Sequence, residues 1–249
     1  MNLGIKDKTA LVMASSQGLG RAVAESLASE GCNVIICGRY LEKITRVATE
    51  INVAYDAKVT AIRVDITNSE ERQVLLKKGS EAGGIDILVT NSGGPPPGGF
   101  SDFSNKDWAS AYQLVFESVL DMVRGSLPHM QAQGWGRIIA INSICVKAPI
   151  NGLTLSNAIR PAVSGMLRSL ANEVAPQGIT VNNILSGYHK TERVIELGLG
   201  DQALEGIPMQ RMGEPHELAA AVSFLASQQA SYITGISLPV DGGSTRSLL

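Results

Sequence analysis

Seven short apolar runs, separated by longer segments of helical period, constrain the fold of this chain more than any other feature. The runs are TALVMA (9–14), NVIICG (33–38), VTAIRV (59–64), IDILVTN (85–91), RIIAIN (137–142), ITVNNIL (179–185) and ISLPV (236–240). Between them, segments such as 20–30, 41–54, 69–82, 105–126, 156–174 and 214–227 carry apolar residues at i, i+3, i+4 and i+7, the spacing of an amphipathic helix. Strands that are apolar along their whole length are those buried on both faces. The alternation therefore predicts an α/β chain with a parallel sheet and helices on both sides. At 249 residues, 44% of them hydrophobic, the chain suits one large-cored domain over 1–249 and is short for two.

A net charge of −2 offers no broad positive field. Nucleic acid and anionic membranes are thereby disfavoured as partners, and a small molecule is expected instead. Cys32, Cys37 and Cys145 form neither a CxxC pair nor a zinc pattern with His129, His189 or His216, so they read as reduced, buried thiols and no metal is expected. The start MNLGIKDKTALVMASS lacks an apolar stretch behind a basic end, and no run is long enough to span a bilayer. The expected location is cytoplasmic.

The first apolar run leads into SSQGLGRAVAESLASEG. Gly18 and Gly20 open a helix whose N-terminal amides and dipole suit a pyrophosphate. A bare Gly-x-Gly is weak, but a strand before it, an amphipathic helix after it and a second strand about 20 residues on match a dinucleotide site. The residues expected to cradle the cofactor are Ala14, Ser16, Gln17, Gly18, Leu19 and Gly20. At the end of the second strand an NAD site would carry an acid, whereas this chain has CGRYLEK. Arg39 suits a 2′-phosphate, to which a guanidinium binds in bidentate fashion, so NADP(H) is preferred over NAD(H). The other reading of Arg39 is a solvated charge at a helix start.

Two segments break the alternation. SGGPPPGGF (92–100) is a semi-rigid loop just past a strand end, on the edge where open α/β sheets bind ligands. Residues 187–213 are long, mixed and interrupted by glycine, which reads as a substrate lid. The apolar loop at 95–100 and this lid suggest a mostly apolar substrate.

With ASSQGLG, VDIT (64–67), NSGG (91–94), INS (141–143), ANEVAPQGITVNNILSG (171–187) and YITGISLPVDGG (232–243), the chain resembles the short-chain dehydrogenase/reductase family over nearly its whole length, in particular the members like 3-oxoacyl-acyl-carrier-protein reductase. The resemblance implies a Rossmann-type three-layer sandwich with a seven-stranded parallel sheet. It also implies a nicotinamide cofactor, a carbonyl substrate and a homotetramer. On the same basis Asp65 contacts the adenine, Asn91 and Gly93 line the adenosine ribose side and Thr191 reaches the nicotinamide amide, with Ile66 and Gly187 also among the cofactor-binding residues.

Departures from the family pattern stand out. Its first loop glycine is Ala14, tolerable if φ there stays below zero. Its helix-borne active-site asparagine falls on Val115, and the Pro-Gly after the sixth strand is Ser186-Gly187. The Tyr-x-x-x-Lys pair, expected thirteen residues after the active-site serine Ser143, falls on Ser156 and Arg160. A phenol near pKa ~10 can be tuned toward neutrality by a neighbouring cation, but an aliphatic hydroxyl cannot. Ser156 can still donate a hydrogen bond, and Arg160 can hold ribose hydroxyls, though it cannot relay a proton. Pro161, inside the same segment, predicts that the helix restarts or bends there.

Tyr188, with Lys190 nearby, could rebuild a phenol and a cation from the lid. The plainer reading of GYHKTER is a solvated segment. An activated serine built from Ser143 and Lys147 is disfavoured by the lack of a helix to align them. Asn142 and Cys145 read as strand-end polar and packing residues. The expected function is an NADP(H)-dependent carbonyl reductase with a non-standard proton donor, and the competing one is a cofactor-binding protein without turnover. Lyase or isomerase chemistry ranks last, because no carboxylate or histidine pair points to it.

Overall fold

The computed structural model describes residues 2–192, 194 and 204–247. Seven strands form one parallel sheet in the order β3-β2-β1-β4-β5-β6-β7. They are β1 (Thr9–Val12), β2 (Asn33–Gly38), β3 (Lys58–Arg63), β4 (Ile87–Thr90), β5 (Gly136–Ser143), β6 (Ile179–Ser186) and β7 (Ser237–Val240). Each coincides with one of the seven apolar runs to within a few residues. The Rossmann-type three-layer sandwich is the observed fold.

The helices are α1 (Gly18–Ser29), α2 (Leu41–Tyr55), α3 (Ser69–Glu81), α4 (Asn105–Tyr112), α5 (Ser118–Gln133), α6 (Thr154–Val174) and α7 (Pro215–Ala226). Successive strand residues feed opposite faces. Val12, Ile36, Val89 and Ile184 join the core under α1, α2 and α7, and Leu11, Ile35, Leu88 and Val181 join the one under α3, α5 and α6. Both faces are thus apolar, which explains why the strands read as continuous runs. Complete burial of each such side chain stabilises the fold by roughly 1.5–3 kcal/mol.

Two local features differ from the sequence reading. Segment 105–126 is not one regular helix: a π-helical stretch, Gln113–Glu117, joins α4 to α5, and π-bulges of this kind are frequent at functional sites. Helix α6, in contrast, runs unbroken from Thr154 to Val174 with Pro161 inside it, so the predicted restart does not occur. Proline removes only its own donor, while Ile159, Val163 and Leu167 stay buried in the core along one side and the Arg160 carbonyl accepts a hydrogen bond from Asn142 Nδ2 at 3.2 Å. Packing and this bond hold the turn together.

β1 lies between β2 and β4, where the order of the strands reverses. A crevice at the C-terminal ends of the strands follows from that switch point.

Candidate active site

The Gly loop occupies the switch point. Met13 donates from its N–H to the Val89 carbonyl, and Ser15 donates to Cys37, both at 3.0 Å. Neighbouring strands therefore pin the chain on either side of Ala14. Its φ is +46°, so the condition under which alanine is easily tolerated here is not met. A residue with a Cβ is strained in this left-handed region by roughly 1–2 kcal/mol, and the two flanking bonds over-determine it. The conformation turns the Ala14 carbonyl toward α1, where it accepts from Asn91 Nδ2 at 3.3 Å.

Gly20 is required by that contact. A Cβ there would lie 2.5 Å from the Ala14 oxygen and 2.8 Å from Asn91 Nδ2. Gly93 presents the opposite geometry, since a Cβ on it would meet nothing within 4 Å. That open space in the loop after β4, at the same sheet edge as the N-terminus of α1, is the kind of cradle a dinucleotide fills. The residues fit the group.

Around the adenosine end, Ser16 sits against Gly38, whose added Cβ would be 3.2 Å from the serine Cβ. Gln17 caps α1 in an extended conformation with its side chain turned away from the helix to accept from Lys43 Nζ. Arg39 lies over the Tyr40 ring at 5.9 Å. The Asp65 carboxylate accepts from the Thr67 N–H and hydroxyl at 3.0 and 2.8 Å. Burial raises its pKa, but the Thr67 bonds and the charges of Arg39 and Arg63 outweigh burial and hold it below the usual carboxylate range. The Ile66 carbonyl is fixed by fully buried Arg72, at 2.8 Å, which also pairs with Asp121 on α5. Leu19 packs on the core beneath the loop.

On the other side of the switch point, Ser143 ends β5 and its hydroxyl accepts from the Cys145 N–H at 3.2 Å. Ser156 is 7% exposed, and its carbonyl accepts from Cys145 Sγ at 3.7 Å. Arg160 is half-buried and donates through Nη1 to Asn142 Oδ1 at 3.4 Å. Burial pushes its pKa below the ordinary arginine value, with Cys145 acting in the other direction. Ser143, Ser156 and Arg160 are therefore linked through Cys145 and Asn142. A cavity of about 10 Å³, close to the space one water needs, lies among Thr90, Asn91, Val115, Asn142 and Arg160. Val115 sits in the π-helical stretch, 2% exposed.

The lid begins beside this cluster. Gly187 donates to the Val240 carbonyl at 3.0 Å, and a Cβ on it would collide with Asp241 at 2.6 Å. His189 and Gly213 close the base of the segment through a parallel bridge. His189 is 3% exposed and donates from Nδ1 to the Gly187 carbonyl at 3.2 Å. Burial lowers its pKa, against the Gly187 bond and the charges of Glu217 and Asp241. Thr191 covers the Gly loop, its methyl 3.3 Å from where a Cβ of Gly18 would be. Of the lid expected at 187–213, residues 193 and 195–203 lie outside the described residues.

Two candidates are placed differently from the sequence reading, and the Ser143–Lys147 pair disfavoured there is not formed. Lys190 forms an ion pair with Glu214, so Tyr188 does not have it as a partner. Tyr188 itself is half-buried, and its carbonyl accepts from Gly213 at 3.0 Å. No hydrogen bond joins Ser143 to the exposed Lys147, whose backbone N–H bonds Ile144 instead. Asn142, read as a strand-end polar residue, makes four hydrogen bonds in the middle of the cluster. An amide directly after the four apolar residues 138–141 of β5 was the available signal. The three cysteines are free and buried, and among the described residues no His/Cys/Asp/Glu group could hold a metal. No described helix is long and apolar enough to cross a membrane.

The family model described as Enoyl-(Acyl carrier protein) reductase matches residues 13–245. The chain belongs to the short-chain dehydrogenase/reductase family. A 3-oxoacyl-[acyl-carrier-protein] reductase, FabG, of Aquifex aeolicus (strain VF5) is 34% identical over 250 residues, covering 98% of this chain and 99% of that protein. The NADPH-dependent reductase BacG of Bacillus subtilis (strain 168) is 30% identical over 256 residues, or 97% of this chain and 99% of that one. Among solved structures, L-sorbose reductase from Gluconobacter frateurii complexed with NADPH and L-sorbose superposes with a TM-score of 0.96 at 29% identity, over 100% of both chains. Membership makes this chain a relative of oxidoreductases.

Proposed function

We propose that this protein is an NADP(H)-dependent reductase acting on a carbonyl of a mostly apolar substrate. The observation that carries the reading is the convergence at one sheet edge of the Gly20–Ala14–Asn91 cradle with the Ser143, Ser156 and Arg160 cluster. Complexes of relatives with NADPH or NADP support the choice of cofactor, and Arg39 supplies a guanidinium suited to a 2′-phosphate. The cofactor, when bound, supplies hydride.

The residues of the chain then have distinct tasks. Ser143 and Ser156 donate hydrogen bonds to the carbonyl oxygen and stabilise its developing negative charge. Arg160 holds ribose hydroxyls with a permanent charge. Tyr188 gives its phenolic proton to the oxygen as hydride reaches the carbon, and solvent restores that proton. The described ends of the segment expected as a lid, 187–192 and 204–213, would flank the substrate. By family resemblance the protein is a homotetramer, which sedimentation would check, and its expected location is cytoplasmic.

Single-turnover oxidation of NADPH, followed at its absorbance against a panel of 3-oxoacyl thioesters, ketoses and apolar ketones, tests the reading. Turnover on any apolar carbonyl supports it. A second reading, cofactor binding without turnover, is favoured by the pairing of Lys190 with Glu214 rather than with Tyr188. Tight NADPH binding with no oxidation across the panel would select it.

A further inference from the structure

We infer that Asn142 is a positioning residue that aims the Arg160 guanidinium at the cofactor. The inference rests on the proposed role of Arg160 and extends it to a residue on another element. Asn142 lies next to the end of β5, 4% exposed, and its amide spans the gap to α6. Nδ2 donates to the Arg160 carbonyl and to Ser164 Oγ, both at 3.2 Å. Oδ1 accepts from the Ser143 N–H at 3.1 Å and from Arg160 Nη1 at 3.4 Å. A side-chain amide has two donor hydrogens and two acceptor lone pairs, so all four are in use.

One group therefore grips Arg160 at both ends, backbone and guanidinium, while also holding the backbone of Ser143. Such a grip has a physical purpose here. Among the described residues no carboxylate forms an ion pair with Arg160, and a half-buried guanidinium without an anion needs neutral acceptors. Asn142 provides one such acceptor and leaves the remaining N–H donors of the guanidinium to the ribose hydroxyls. An aspartate at the same place would compete for the cation, and an alanine would release it. Pro161 adds to the need, because it removes a backbone donor from the turn that carries Arg160.

The test compares NADPH with adenosine 2′,5′-bisphosphate, which occupies only the adenosine half of the site. In the full-length protein, Asn142→Ala is expected to weaken NADPH about tenfold, the worth of one hydrogen bond to a charged group, and to leave the bisphosphate within about twofold. Asn142→Asp should also weaken NADPH selectively. In an Arg160→Met background, Asn142→Ala should have no further effect, since coupled residues are non-additive. Equal weakening of both ligands, an undiminished effect in the Arg160→Met background, or no effect on NADPH would each overturn the inference. Should the unaltered protein bind the bisphosphate and NADPH equally well, the cofactor role of Arg160 fails, and the inference fails with it. No binding of either ligand by the unaltered protein would instead reject the NADP(H) reading itself.

Discussion

The α-carbon of Gly20 faces the carbonyl of Ala14 so closely that a methyl group on it would lie 2.5 Å from that oxygen. The approach depends on the left-handed turn at Ala14 and leaves Asn91 room to donate to the same oxygen. Gly20→Ala is accordingly expected to destabilise the protein by about 1–3 kcal/mol, the usual cost of overpacking, and to weaken NADPH. Thermal unfolding with and without cofactor checks both. A full-strength site with unchanged unfolding temperature would contradict the packing described for the loop.

Ala14 itself yields the opposite expectation. At a φ of +46° glycine is free of the strain that alanine bears, so Ala14→Gly should keep or raise stability despite the greater entropy of the unfolded chain. Denaturant titration would decide, and a loss greater than about 1 kcal/mol would be inconsistent with strain at this turn.

Arg39 is assigned to the 2′-phosphate. Arg39→Ser should weaken NADPH by about ten- to a hundredfold, as expected for one or two charge-assisted bonds, and leave NADH nearly unchanged. Unchanged binding of both cofactors would show that Arg39 is a solvated charge at the start of α2, and equal weakening of both would show that it does not read the 2′-phosphate.

Tyr188 is assigned the proton. Tyr188→Phe should lower the rate of carbonyl reduction by about a hundredfold or more while NADPH binding holds. An unchanged rate would remove it from the reaction and leave solvent as the acid.

His189 makes stability depend on pH. Its folded pKa lies below the ordinary histidine value of about 6.5 because burial disfavours the charged ring. The unfolded state then binds the extra proton first, so the contribution of His189 is complete above about pH 6.5 and is lost as pH falls toward the folded pKa. The midpoint of unfolding should drop between pH 7 and pH 5, and less so in His189→Gln. A drop of equal size in that variant would mean that other groups carry the acid sensitivity.

Strand positions and helix placement were legible because both rest on burial: residues facing two apolar layers must be apolar, and that pattern survives in the sequence. The Gly loop was legible for a related reason, since tight turns and helix N-termini restrict residue type. The φ of Ala14 was not legible because it is set by bonds from β2 and β4 on its neighbours, which no local pattern reveals. Of the restart or bend expected at Pro161, the restart does not occur, because the packing of Ile159, Val163 and Leu167 outweighs the loss of one backbone donor. Lys190 found Glu214, 24 residues away, and long-range ion pairing of exposed side chains leaves no spacing to read. The π-helical stretch at Gln113–Glu117 likewise has no mark in the apolar period.

Titration of the purified protein with NADPH and separately with NADH, followed by nicotinamide fluorescence or by heat, tests the central claim most directly, because it requires no guess about the substrate. Micromolar binding with NADPH preferred is the expected result. Failure to bind either cofactor would contradict the account, since it would mean that Ala14, Arg160 and Pro161 leave a family fold without a working nucleotide site.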